Sequence, residues 1–150
     1  MKSRGGFTLI ELMVVITVIA IIAAIALPSL LRSRLQANEV AAIQNLRTVL
    51  SAQTGFHTTK SRFGAIAELS SEQDGVGTGY LDRTWQDGAN RQGYNFIMDQ
   101  ADVGFFLCYA DPVEPGITGV RFFRIDASGV IRWNREGRPG DADPELGSQS

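Results

Sequence analysis

The sequence has 150 residues, of which 44% are hydrophobic, and a formal net charge of −2. The slight negative charge argues against nucleic acid as the main partner, and the size fits one small domain beside a membrane anchor. The single cysteine, Cys108, excludes an intramolecular disulfide, and the single histidine, His57, argues against a histidine-dependent triad or a multi-histidine metal site.

The first six residues, MKSRGG, form a short basic leader. Lys2 and Arg4 are its charged residues, and cationic residues beside an apolar run favour the cytoplasmic side of a membrane. Residues 1–6 are therefore predicted to be a leader peptide that keeps the amino end in the cytoplasm.

An apolar run follows at residues 7–27. Its 21 residues contain no Lys, Arg, Gly or Pro and one charge, Glu11. A helix of that length is about 32 Å long, which matches a hydrocarbon core of roughly 30 Å. Because no polar face is present, residues 7–30 are predicted to be a helix that is covered on all sides, first by a membrane.

The small residues that could mark a cleavage site lie on the unusual side of this run. A secretory signal is cut after its apolar region, whereas Gly5 and Gly6 precede it and the run continues through Ala23 and Ala24. A cut after the glycines would leave the apolar helix on the mature protein.

Residues 6–12, GFTLIEL, resemble the processing site of the type IV pilins and of the type II secretion pseudopilins. The resemblance extends over residues 5–57. It implies that a prepilin peptidase and methyltransferase cuts after Gly6 and methylates the new terminal amine of Phe7. The acidic residue of that family is matched by Glu11, and its proline near the end of the span by Pro28.

Glu11 has two interpretations. It is either a tolerated charge near the membrane interface, helped by the positive end of the helix, or the partner of a terminal Phe7 amine. That amine could belong to a neighbouring subunit or to the same chain. Pro28 removes a backbone hydrogen bond and is expected to kink the helix or weaken the preceding turn.

Residues 31–58 are predicted to continue as an amphipathic helix whose apolar stripe forms the core of a head domain, residues 31–150. The stripe consists of Leu35, Ala42, Ile43, Leu46, Val49, Leu50, Gln53 and Phe56. Charged residues, Glu39 among them, are assigned to the opposite face. Residues 59–92 form a long loop with a short helix at 65–71. In this loop Tyr80 and Trp85 either contact a partner or cover the sheet edge.

Residues 93–134 alternate in hydrophobicity and predict four antiparallel strands, with turns at residues 99–102 and 126–129. The fold class is therefore α+β, a type IV pilin-like fold in which a long N-terminal helix packs on a four-stranded antiparallel sheet. Residues 135–150 are rich in Gly, Pro, Asp and Ser and are predicted to be a flexible tail.

No arrangement predicts catalysis, a cofactor or a metal site, so the chain is not expected to be an enzyme. His57 is interpreted as a cap or surface residue and Cys108 as core. Asp111, Glu114 and Asp126 match no calcium loop. The basic residues near the C-terminus are interpreted as a solvated face paired with Asp126 and Glu136; they are Arg121, Arg124, Arg132, Arg135 and Arg138.

The resemblance implies a structural subunit of a type IV pilus-type filament, with a type II secretion pseudopilin as the alternative. A membrane-anchored domain with an uncut anchor fits Gly6, Phe7 and Glu11 less well. The implied partners are the peptidase, further copies of the chain, minor pilins and an inner-membrane assembly platform. The implied location is the bacterial inner membrane before assembly and a surface pilus or periplasmic pseudopilus afterwards.

Overall fold

The computed structural model describes residues 7–71 and 79–147. Within them lie two helices and five strands, and the chain divides into two compact units after Arg34. The helices are α1 (Leu9–Lys60) and α2 (Ile66–Ser70), and the strands are β1 (Asn90–Arg91), β2 (Tyr94–Ala101), β3 (Phe106–Pro112), β4 (Phe122–Asp126) and β5 (Ile131–Asn134). The predicted α+β class is confirmed.

The first unit is the apolar half of α1. Its large hydrophobic side chains are exposed from Phe7 to Leu31, in agreement with a helix that has no polar face. The helix continues through Pro28, where the sequence predicted a kink or a weakened turn. Since proline has no N–H, one backbone hydrogen bond is still lost there.

The second unit contains one antiparallel sheet with the strand order β1-β2-β3-β4-β5. This meander was predicted with four strands, and the number is corrected by β1, which lies inside the segment assigned to the long loop. Asn90 pairs with Asn95 and Arg91 with Tyr94. The two residues between these strands, Gln92 and Gly93, have φ of 52° and 83°. Two positive φ values define a tight turn that glycine favours, so the hairpin is set by local backbone geometry.

The turn predicted at residues 99–102 was wrong. Strand β2 continues to Ala101, with an irregularity between Met98 and Gln100, and the reversal occurs at residues 102–105. The carboxylate of Asp102 accepts hydrogen bonds from the N–H groups of Gly104 and Phe105, both at 3.0 Å. The turn predicted at residues 126–129 is confirmed by the Gly129 N–H, which donates to the Asp126 carbonyl at 3.0 Å.

The core lies between residues 42–56 of α1 and one face of the sheet. Leu46, Val49 and Phe56 of the predicted stripe are fully or almost fully buried, whereas Leu35 and Leu50 are half-buried. The sheet contributes alternate side chains on strands β2 to β4, which are Tyr94, Phe96, Phe106, Cys108, Ala110, Phe123 and Ile125. Strand β3 therefore presents Phe106 and Cys108 to the core, and the exposed Val103 and Phe105 precede it.

Polar side chains of α1 attach the loops to this core. Gln53 is fully buried, and its amide exchanges two hydrogen bonds with the backbone of Gly64, at 2.6 and 2.9 Å. Glu39, which the sequence assigned to the outer face, is also buried. Its carboxylate accepts hydrogen bonds from the N–H groups of Val120 and Arg121. It also forms an ion pair with the Arg121 guanidinium at 2.8 Å. The prediction for Glu39 is therefore corrected.

The tail covers the outer face and the free edge of the sheet, so the prediction of a flexible tail is corrected for residues 135–147. Pro139 is buried, and Arg124 of β4 forms an ion pair with Asp141. At the edge, the Trp133 N–H donates to the Pro144 carbonyl and the Leu146 N–H to the Ile131 carbonyl. The tail thus satisfies backbone groups that an uncovered edge strand would expose.

The contrast between Leu46 and Leu50 gives a stability prediction. A fragment that starts at Ser29 is expected to fold as a soluble monomer. In it, Leu46→Ala should lower the free energy of unfolding by about 2–5 kcal/mol, because it leaves a cavity in a fully buried site. Leu50→Ala should cost less, since that side chain is half-buried. Urea denaturation would contradict this packing if the two variants matched the parent.

Candidate functional site

The start of α1 is closed by a reciprocal pair of polar residues. Thr8 directly precedes the helix, and its hydroxyl accepts a hydrogen bond from the Glu11 N–H at 3.3 Å. The Glu11 carboxylate accepts in return from the Thr8 N–H at 2.8 Å and from its hydroxyl at 2.7 Å. This is a capping box, in which two helix-end donors are satisfied by side chains three residues apart.

Glu11 is therefore already engaged within its own chain. Only one carboxylate oxygen, Oε2, makes these contacts. In this uncleaved chain Phe7 has no free amine, so a pair between Glu11 and the terminal amine, within one chain or between neighbours, stays a prediction. Within residues 7–71 and 79–147 the other carboxylate oxygen, Oε1, has no hydrogen bond, and the side chain is exposed.

Two further hydroxyl groups of this segment bond to the helix backbone. The Thr17 hydroxyl donates to the Met13 carbonyl at 2.7 Å, and the Ser33 hydroxyl donates to the Ser29 carbonyl at 3.1 Å. By length and composition, α1 is the helix of the described chain that could cross a membrane. From Phe7 to Leu31 the exposed side chains are mostly hydrophobic, and Glu11 is the charged residue among them.

The other predicted site residues have different outcomes. Gly6 lies outside the described residues. Phe7 is 90% exposed at the start of the described chain. Pro28 lies inside α1. The predicted roles of these residues in cleavage and assembly stay predictions.

The two aromatic candidates of the long loop are packed within the chain. Trp85 is 3% exposed, its ring lies 5.3 Å from that of Phe96, and the Arg91 guanidinium lies 4.3 Å from it. The Tyr80 ring lies edge-on to Phe56, and its hydroxyl donates to Thr59 at 2.7 Å. These contacts favour packing within the chain over contact with a partner, but the two rings pack on core residues, whereas the sequence predicted a cover for the sheet edge.

The reactive side chains considered from sequence occupy structural positions. Cys108 is fully buried, and burial raises the pKa of its thiol, which confirms it as core. His57 is exposed at the end of α1 beside Phe63, as the surface interpretation predicted. Among the described residues no three His, Cys, Asp or Glu side chains are arranged to hold a metal ion.

Four of the five C-terminal arginines form ion pairs with acids, although most partners differ from those predicted. Arg124 lies 3.6 Å from Asp126 as expected and also pairs with Asp141. The remaining contacts are Arg121 with Glu39, Arg132 with Glu145, Arg138 with Asp111, and Arg135 beside the ring of Trp133. Glu136 has no ion pair in the part of the chain that the structure describes. Three of these ion pairs, those of Arg124 with Asp141, Arg132 with Glu145 and Arg138 with Asp111, join the tail to the sheet.

Comparison with known proteins identifies the N-terminal segment. Residues 1–27 match the family described as the prokaryotic N-terminal methylation motif. The chain is 40% identical over 62 residues to the type IV major pilin protein PilA of Myxococcus xanthus. It is 43% identical over 53 residues to the type IV wide pilus major component PilA4 of Thermus thermophilus.

These similarities cover part of each protein. They extend over 41% and 35% of this chain, and over 28% and 40% of the respective relatives. The chain thus matches less than half of the length of either relative. The motif match and the two named proteins support the resemblance found at residues 6–12, and what the relatives do as whole proteins is carried over only as a proposal.

Proposed function

We propose that this chain, a member of the type IV pilin family by its methylation motif and its relatives, is made as a precursor in the bacterial inner membrane. It is cleaved after Gly6, methylated on Phe7 and polymerised through the apolar half of α1. The observation that carries the proposal is a helical segment in which every large hydrophobic side chain is exposed. The head domain has its own buried core, which does not use these side chains.

The exposed segment needs a cover in every state of the protein. Covering one Leu, Ile or Val side chain stabilises by about 1.5–3 kcal/mol, and more than a dozen such side chains are exposed between Leu9 and Leu31. Lipid covers them before assembly. In a filament, the equivalent segments of neighbouring copies cover them, which gives a structural role rather than a catalytic one.

Glu11 supplies direction to this apolar contact. Its Oε2 atom closes the capping box with Thr8, and the side chain is exposed. After cleavage, the methylated amine of Phe7 in a neighbouring copy is a cation, opposite in charge to the Glu11 carboxylate. Pairing the two removes the cost of burying each alone, so the pair fixes the register between helices.

A pilus is favoured over a pseudopilus because both reported relatives are named as components of type IV pili. The partners proposed for this chain are further copies of itself, minor pilins, the prepilin peptidase and an inner-membrane platform. Lys2 and Arg4 would hold the leader in the cytoplasm, where the peptidase acts on it, while the head is exported.

The processing step is directly testable. The mature chain should begin at an N-methylated Phe7, so its intact mass should equal that of the precursor less six residues plus one methyl group. Replacing Gly6 by a bulky residue should leave the full precursor in the membrane, while Ser3→Ala in the same leader should be processed normally. Met1 at the amino end of assembled material would overturn the proposal.

A further inference from the structure

The connection between β3 and β4 presents an exposed apolar residue at its tip. Ile117 is 70% exposed, and Val113 and Val120 on either side are 38% and 40% exposed. We call residues 113–120 the apolar loop. A single exposed aliphatic residue is ordinary, so the apolar loop becomes informative through the way it is held.

The apolar loop is rigid by its own hydrogen bonds. The Thr118 hydroxyl accepts from the Glu114 N–H at 3.0 Å, and the Ile117 N–H donates to the Glu114 carbonyl at 3.0 Å. Gly116, with φ of 85°, donates to the Gly119 carbonyl at 2.8 Å. The tip is therefore fixed in one conformation, in which Ile117 points away from the core.

Side chains of α1 and of the sheet attach this rigid loop to the head. The Asn38 amide donates to the Thr118 carbonyl at 2.8 Å, and the buried Glu39 accepts from the Val120 N–H at 3.0 Å. Gly119 lies so close to Tyr94 that an added Cβ would be 2.0 Å from its hydroxyl oxygen. A buried carboxylate and a close packing contact thus hold a loop whose apolar tip is exposed. A surface that is already ordered loses less conformational entropy when it binds a partner.

A complementary recess lies at the other end of the same head. We call it the helix-end pocket; it has a volume of about 230 Å³ and is lined by Leu50, Thr54, His57, Thr58, Phe63, Phe106 and Ala127. Sites for drug-sized ligands have volumes of about 300–1,000 Å³. The helix-end pocket is too small for such a ligand and suits a single inserted aliphatic side chain.

The apolar loop and the helix-end pocket cannot meet within one chain. The loop is attached to α1 at Asn38 and Glu39, whereas the pocket uses Leu50 to Thr58 of the same helix. At a rise of 1.5 Å per residue these positions are separated by roughly 17–30 Å along the helix. A contact between Ile117 and the helix-end pocket therefore requires a second molecule.

Charges beside the two features have opposite signs. Glu114 lies three residues before Ile117 and is exposed, and Lys60 lies three residues after His57 and is exposed. Neither side chain forms an ion pair within residues 7–71 and 79–147. A second copy docked by its apolar loop would bring an unpaired carboxylate toward an unpaired ammonium group, which favours another copy of this chain as the occupant.

We propose that Ile117 of one copy inserts into the helix-end pocket of the next copy, with Glu114 beside Lys60 at the rim. The proposal rests on the polymerisation proposed above and assigns a contact between heads to it. Because loop and pocket are different surfaces, the contact is head-to-tail and can repeat without closing, as a filament requires.

Cysteine cross-linking in cells that produce the full chain tests this contact. A chain carrying both Ile117→Cys and Ala127→Cys should give a ladder of disulfide-linked oligomers after mild oxidation. Each copy then has one cysteine in its apolar loop and one at its helix-end pocket, so each can link to two neighbours. Cys108 is fully buried and should leave the parent monomeric on the same gel. The matched control pairs Ile117→Cys with Ala142→Cys, another exposed alanine, and should give no ladder.

The rim charges provide a second readout. Glu114→Lys or Lys60→Glu alone should reduce the ladder, and the two together should restore it. A ladder of equal strength from the Ala142 control, or dimers from Ile117→Cys alone, would overturn the proposed contact. Imaging of sheared filaments from the same cells separates the two proposals. Filaments without the ladder overturn only the head contact, whereas a parent that forms no filaments overturns the polymerisation as well.

Discussion

Replacing Glu39 by leucine in the fragment of residues 29–150 should lower the free energy of unfolding by about 3 kcal/mol. Glu39 is 7% exposed, and its carboxylate accepts hydrogen bonds from two backbone N–H groups and the Arg121 guanidinium. Leucine fills the space but leaves those donors without an acceptor. The added apolar area does not offset that loss, because the site is built from polar groups.

Two controls separate this effect from a general loss of charge. Glu39→Gln keeps one oxygen acceptor and should cost less than leucine. Glu114→Leu removes an exposed carboxylate from the loop that Glu39 holds and should leave the urea midpoint within error of the parent. Equal midpoints for Glu39→Leu and the parent would show that the apolar loop is held by packing alone.

Glu39 shows where sequence reasoning stopped short. It lies four residues after Leu35 and three before Ala42, which is the spacing of the buried stripe. Its charge moved it to the solvent face in the prediction, because an isolated buried carboxylate is costly. The compensating donors come from residues 120 and 121, about eighty positions away, and no local pattern indicates that pairing.

The regular elements were predictable because their signals are local. The apolar run and the stripe of α1 predicted the long helix, and the alternation of β2 predicted the sheet. The turn at residues 126–129 was predicted from its turn-forming residues. Strand β1 was missed because its two residues are too few to show an alternation in hydrophobicity. The tail was missed because its composition is that of a loop, while its order comes from pairing with β5 and with Arg124.

The candidate site was predictable in part. The sequence indicated the family and the unusual carboxylate, yet the capping box at Thr8 and Glu11 was overlooked, although a threonine followed three residues later by a glutamate is a known helix-start signal. The partner of Glu11 could not be assigned to the same chain or to a neighbour, since a single sequence contains no information on the register between copies.

The capping box changes how Glu11 has to be tested. One carboxylate oxygen stabilises the helix start, and the other is proposed to pair with the Phe7 amine of a neighbour. A variant that removes both functions cannot tell them apart. Glutamine at the third helical position also completes a capping box, so Glu11→Gln removes the charge and keeps the cap. Thr8→Val does the reverse, because it removes the hydroxyl and keeps the carboxylate.

Glu11→Gln is therefore expected to be processed and membrane-inserted but to enter filaments roughly tenfold less efficiently or worse when it is the sole form of the chain, because the amine of Phe7 is left unpaired in an apolar core. Glu11→Leu should show the same defect despite its greater hydrophobicity. Thr8→Val should assemble close to the parent level. The ratio of sheared filament protein to membrane-bound mature protein measures each effect. If Glu11→Leu assembled as well as the parent, apolar contact alone would hold the helices. If instead Thr8→Val failed while Glu11→Gln assembled, the carboxylate would act through the helix cap rather than through a neighbouring chain.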